Sequence, residues 1–156
     1  MLNDILTRLA AMHTDEGSAT VFKLPPPVVR RTEIPLLYAV PTGFSEVQTS
    51  QSTIERAYTF VIEVLVLDID TDNLTAASLS QGVVSTTTIM ESMTTYYNAH
   101  RLLTTSSLGI LDNVNFGMTI DAEGVVVPLV GHDGNPYIGT RFNLTVNTRI
   151  AVSLTP

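Results

Sequence analysis

A chain of 156 residues is long enough to bury a real hydrophobic core and fits one domain. It contains no Cys, which excludes disulfide and thiolate chemistry, and its net charge of −7 with a pI near 4.7 argues against a general nucleic-acid binder. Hydrophobic residues make up 44% and charged residues only 15%, so a lone subunit is short of charge to cover itself and interfaces with other chains are expected.

Lys23 is the only Lys; every other basic residue is Arg. Arg pairs bidentately at interfaces better than Lys does, although a genome-wide bias in composition produces the same pattern. The first stretch, MLNDILTRLAAMH, is amphipathic and lacks the basic segment and apolar run of a signal peptide. No apolar window of about 18 residues exists, so no membrane span is expected, and synthesis in the cytoplasm is.

Residues 2–13 read as a short helix, with Leu2, Ile5, Leu6, Leu9 and Met12 on one face and Asp4 in the first turn, where its charge suits the helix dipole. Asp15-Glu16-Gly17-Ser18 ends it. Ala19 to Leu24 reads as a short strand. Pro25-Pro26-Pro27 then stiffens the chain as polyproline II, and Arg30, Arg31 and Glu33 precede Pro35, an apolar run Leu36 to Val40, and Pro41-Thr42-Gly43. The prolines assign 25–52 to edge strands and loops. Such a segment either reaches over a neighbouring subunit, which makes Arg30 and Arg31 candidate interface residues, or lies on its own subunit. Ser45 to Ser52 is polar and leads into the next strand through a turn or hairpin.

Thr53 to Asp68 (TIERAYTFVIEVLVLD) alternates strictly. Tyr58, Phe60, Ile62, Val64 and Val66 share one face, and Ala57, Thr59, Val61, Glu63, Leu65 and Leu67 the other. Period two with β-branched and aromatic residues marks a strand, and apolar residues on both faces of its second half predict a central strand covered on both sides. Glu63 is the one charge inside that half.

The acidic run Asp68-Ile69-Asp70-Thr71-Asp72-Asn73 resembles the opening of a calcium loop, but its sixth position is Asn73 and its twelfth Leu79, where Gly and Glu are needed. Helix capping by Asp70 or Asp72 before Leu74 is the expectation instead. Residues 73–103 read as helical, in one piece or two, with Gly82 the candidate break. Ile89, Met90, Met93, Tyr96, Tyr97 and His100 form an apolar stripe that belongs to a core. Many Thr residues weaken the helix, so packing on the sheet must support it. Thr104 to Gly109 is a loop. Val114 to Ile120 and Val125 to Val130 read as strands around the turn Asp121-Ala122-Glu123-Gly124, a hairpin over 112–130, with Phe116, Met118 and Ile120 on one side. His132-Asp133-Gly134-Asn135-Pro136 is turn-rich. From Tyr137 to Val152 the alternation is again clean, with Phe142, Leu144, Val146, Ile150 and Val152 inward and Arg141, Asn143, Thr145, Asn147 and Arg149 outward. This strand is expected antiparallel to, or near, 53–68, with Glu63 paired to Arg141 or Arg149 across the sheet.

No catalytic constellation is visible. His13, His100 and His132 fit no metal-ligand spacing and read as surface or helix-end residues. No Ser lies in a nucleophile elbow and no Gly-rich phosphate loop occurs, so neither an enzyme nor a cofactor is expected. Asn143-Leu144-Thr145 matches a glycosylation sequon, with nothing else in the chain pointing to secretion.

Two strand motifs, Arg56, Tyr58, Phe60, Ile62 and Val64, then Tyr137, Gly139, Phe142, Leu144 and Val146, stand in an order of helix, proline-broken segment, strand, helix, hairpin and final strand. This layout resembles the tail terminator proteins of long-tailed bacteriophages and the related tail-completion and head–tail joining proteins. It covers most of the chain; the triple proline and the Thr-rich central helix depart from it. The resemblance implies a single α+β domain over 1–156, a mostly antiparallel sheet flanked by helices: helix 2–13, extended segment 25–52, and sheet and helix core 53–156. It also implies a homohexameric ring in the virion tail or neck, assembled in the host cytoplasm. Such a ring caps the tail tube, ends its polymerisation, meets the head–tail connector and lets DNA pass through its lumen without sequence-specific binding. Glu63, Arg141 and Arg149 join Arg30 and Arg31 as candidate interface residues. The alternatives are another phage ring component (a head-completion protein or a tail tube subunit) and a β-rich ligand-binding module, for which 6% aromatics and no Trp give a poor lining.

Overall fold

The computed structural model describes residues 1–69, 74–103 and 114–151, with the backbone alone at 114–116 and 125. The fold is α+β, a mostly antiparallel sheet flanked by helices. In chain order the elements are α1 (Leu2–Glu16), β1 (Thr20–Val21), a 3-10 turn (Arg31–Glu33), β2 (Leu36–Ser50), β3 (Thr53–Asp68), α2 (Ala76–Ala99), β4 (Val114–Val130) and β5 (Pro136–Ala151).

Five strands form one sheet in the order β1-β2-β3-β5-β4. β1 is parallel to β2 over two residue pairs; all other pairings are antiparallel. β3 sits in the middle, its backbone paired with β2 along one edge and with β5 along the other. Phe60 opposes Leu144 and Ile62 opposes Phe142, so the two alternating segments of the sequence meet in register.

Both helices pack on one face. Ile5, Leu6, Leu9 and Met12 of α1 and Ile89, Met93 and Tyr97 of α2 close on Leu37, Ala39, Tyr58, Phe60, Ile62, Val64, Phe142, Leu144 and Val146. α1 starts with Asp4 in its first turn and stops at Gly17, whose φ of 81° is the left-handed conformation Gly adopts without steric cost; its N–H donates to the His13 carbonyl. α2 is one helix, capped by Thr75, whose Oγ1 accepts from Ser78 N–H at 3.1 Å. Gly82 does not break it. Gly82 is buried where α2 crosses Leu67, and a Cβ there would lie 2.8 Å from Leu67 Cδ2.

On the opposite face a smaller cluster, Leu36, Tyr38, Leu65, Leu129 and Tyr137, is covered by Phe22, Val29 and Ile34 from the proline-rich segment, which folds back on its own sheet. That cover stops at one end. Ala57, Thr59 and Val61 remain half-exposed, so β3 is covered on both sides only near Leu65, whereas the sequence predicted it along the whole second half.

Two further expectations differ. Residues 114–130 form no hairpin: β4 runs straight through Asp121–Gly124, paired with β5 on one side. From Ala122 to Gly124, and again from Gly124 to Val127, β4 advances one residue more than β5, so the Gly and its neighbours are absorbed as bulges instead of reversing the chain. Ser45 to Ser50 is the second half of β2 and enters β3 through the turn Gln51-Ser52, so this stretch leads into β3 as a hairpin, one of the two expected forms. Helix capping falls to Thr75; Asp70 to Asn73, the loop Thr104 to Gly109, the side chain of Phe116, and Val152 lie outside the described residues.

Candidate assembly surface

The face of the sheet turned away from the helices carries most of the charged side chains of the strands. At its centre Glu63 accepts from Tyr38 Oη at 2.7 Å and from Arg141 Nη2 at 3.2 Å. Arg141 Nη1 reaches on to Glu123 Oε1, also at 3.2 Å. The row Tyr38–Glu63–Arg141–Glu123 thus crosses β2, β3, β5 and β4, because residues opposed in an antiparallel sheet present their side chains on the same face. The Glu63 and Arg141 side chains are 16% and 28% exposed, which keeps the pair partly shielded from solvent. Burial, then the hydrogen bond to the Glu63 carboxylate, push the Tyr38 phenol well above its ordinary pKa.

Register decides between the two expected partners of Glu63. Glu63 opposes Arg141, and Arg149 opposes Glu55 eight rungs along. Arg149 donates to Glu55 at 2.6 Å in a far more exposed pair. Arg56, on the helix side, pairs with Glu46 at 2.8 Å. Arg30 and Arg31 are apart from this row: both are exposed at the 3-10 turn, where Arg30 N–H donates to Glu33 Oε2 at 3.2 Å.

Toward the β2–β3 turn the open face hollows into a depression of about 380 Å³ between Ser45, Val47, Glu55, Ala57, Gly117, Asn147 and Arg149. Small side chains on three strands leave this space. Val47 at its edge is 60% exposed; on the helix side Phe44, against Tyr58, is 59% exposed and, on the outer side of α2, Val84 64%. α2 has a single charged residue, Glu91, so that outer side is nearly neutral.

The sequence missed two participants. Tyr38 reads as part of an apolar run, and Glu123 as part of a turn; only the strand register places them beside Glu63 and Arg141. Away from this row, His13 lies in the last turn of α1, as the helix-end reading has it, but buried against Tyr97, with His13 Nε2 and Tyr97 Oη 2.5 Å apart. Desolvation lowers its pKa to about 3. Its spacing of four from Leu9 was the available signal. His100 stacks on Tyr96 at the end of α2, and His132 is exposed in the β4–β5 turn.

Among the described residues, no group of three or more His, Cys, Asp or Glu is placed to hold a metal ion, and no helix is long and apolar enough to cross a membrane. Comparison with models of known protein families and with curated proteins finds no match.

Proposed function

We propose that this chain is a structural subunit of a long-tailed bacteriophage: a tail terminator that forms a ring, caps the tail tube and joins it to the head connector. The observation that carries the reading is the pairing of its two motif strands. Arg56 to Val64 and Tyr137 to Val146 are adjacent and antiparallel, with Tyr58 opposite Val146 and Phe60 opposite Leu144. The exposed apolar side chains on β2 and α2 support it further, since a ring subunit needs surfaces that other copies cover. On this reading the sheet is a scaffold, and function lies in the surfaces it holds in place.

Electron microscopy of tails assembled without the protein tests the reading. A terminator's absence gives tails of uncontrolled length that fail to join heads. Tails of normal length, joined to heads, would contradict it.

A further inference from the structure

Two edges of the sheet lack a partner strand among the described residues. β1 pairs with β2 only at Leu36 and Leu37, so the outer edge of β2 is open from Tyr38 to Ser50. β4 ends the strand order on the other side and pairs with β5 alone. An open edge offers unpaired N–H and C=O groups to any passing strand, and proteins blunt it with Pro, Lys, bulges or short strands. These strands are long, 15 residues for β2 and 17 for β4, against a usual length of about 5–6.

Most blunting devices crowd into one end; the exception is a second irregularity of β2 between Gln48 and Ser50, at the turn into β3. On β2, Pro41 and the irregularity between Pro41 and Gly43 follow the short cover of β1. On β4, the irregularities between Ala122 and Val127 lead to Pro128. The remaining halves, 43–50 of β2 and 114–121 of β4, contain no Pro, Lys or Arg. They also lie at one level: Ser45 opposes Ala57, Ala57 opposes Asn147, and Asn147 opposes Gly117.

We infer that the 43–50 edge of β2 pairs with the 114–121 edge of β4 in a second copy of this chain, joining the sheets of neighbouring subunits. The order β2-β3-β5-β4 alternates in direction, so β2 and β4 run opposite ways. A second copy with its helices on the same side therefore meets β4 with an antiparallel β2 and continues the ladder. The joint uses two different surfaces, so it repeats from copy to copy. Because both free edges sit at the same level, each repeat adds rotation without a step along the strands, the condition for a closed ring instead of a filament. This inference rests on the ring reading and adds how the subunits join.

The chain has no Cys, so introduced ones report without background. Ser45 and Gly117 stand at that shared level on the open face; Ser45 is exposed, and a Cβ at Gly117 meets nothing within 4 Å. The variant carrying both Ser45→Cys and Gly117→Cys, treated with a short bismaleimide, is expected to give a covalent ladder on denaturing gels, whereas neither single variant links. Linking by Ser45→Cys alone would show a two-fold β2–β2 contact and overturn the inference. An oligomer in solution without linking in the double variant would overturn the edge pairing but leave the ring reading intact. A monomer in solution would sink both.

Discussion

Glu63 and Arg149 each bring one charge, of opposite sign, into ion pairs of very different worth. Glu63 is mostly shielded, and its loss leaves Tyr38 Oη without its acceptor and Arg141 with Glu123 alone. Glu63→Ala is expected to cost about 1–3 kcal/mol in urea unfolding, the scale of a lost hydrogen bond to a charged group. Arg149 is 63% exposed, and Arg149→Ala should cost under about 0.5 kcal/mol. Equal losses would mean that shielding does not separate the two pairs. His13 supplies a pH dependence. Its folded pKa, about 3, lies below the ordinary 6.5, so the unfolded chain binds the extra proton between these values. Stability from this group is complete above about pH 6.5 and falls by about 1.4 kcal/mol per unit as pH drops toward 3. His13→Gln removes that slope. Unfolding at pH 7 and pH 4.5 should show the variant losing less stability on acidification than the wild type, and an identical loss would show His13 to be silent. The Glu63 pairing was legible because a lone carboxylate on an alternating strand must find a cation on its own face; choosing Arg141 over Arg149 needed the register, which no local pattern contains.

At the scale of elements, period-two alternation exposed β3 and β5 almost to their ends, and helical spacing exposed α1 and the buried stripe of α2. The misread elements share one cause. Gly and Pro punctuate a chain locally, yet a long partner strand can override them. β4 continues through Gly124 because β5 pairs on both sides of it, and β2 continues past Pro41 because β3 does the same. Gly82 likewise marks a close approach instead of a break. The structure also explains why Gly139 stands in the final strand. A Cβ there would lie 1.7 Å from the Val64 carbonyl oxygen, a backbone atom beside the irregularity at Leu65–Leu67. Gly139→Ala should therefore abolish folding or cost more than about 3 kcal/mol, whereas Gly117→Ala, with nothing within 4 Å, should fall within about 1 kcal/mol of wild type. Thermal melts of the two variants compare them directly, and a tolerated Gly139→Ala would contradict the close approach.

For the molecule as a whole, the helices cover one face and the proline-rich segment covers one end of the other; among the described residues nothing covers the rest of the sheet or its long edges. Low charge and a nearly neutral outer side on α2 go with a subunit whose surface is completed by neighbours. The composition raises the expectation of interfaces, and the fold shows which apolar side chains stand exposed; their distribution depends on strand pairings remote in sequence, which is why no motif could report it. Assembly into a closed ring is the central claim, and light scattering coupled to size-exclusion chromatography on the purified wild-type chain tests it most directly. The account predicts one discrete oligomer of fixed mass that persists on moderate dilution, and a strict monomer at high concentration would contradict it.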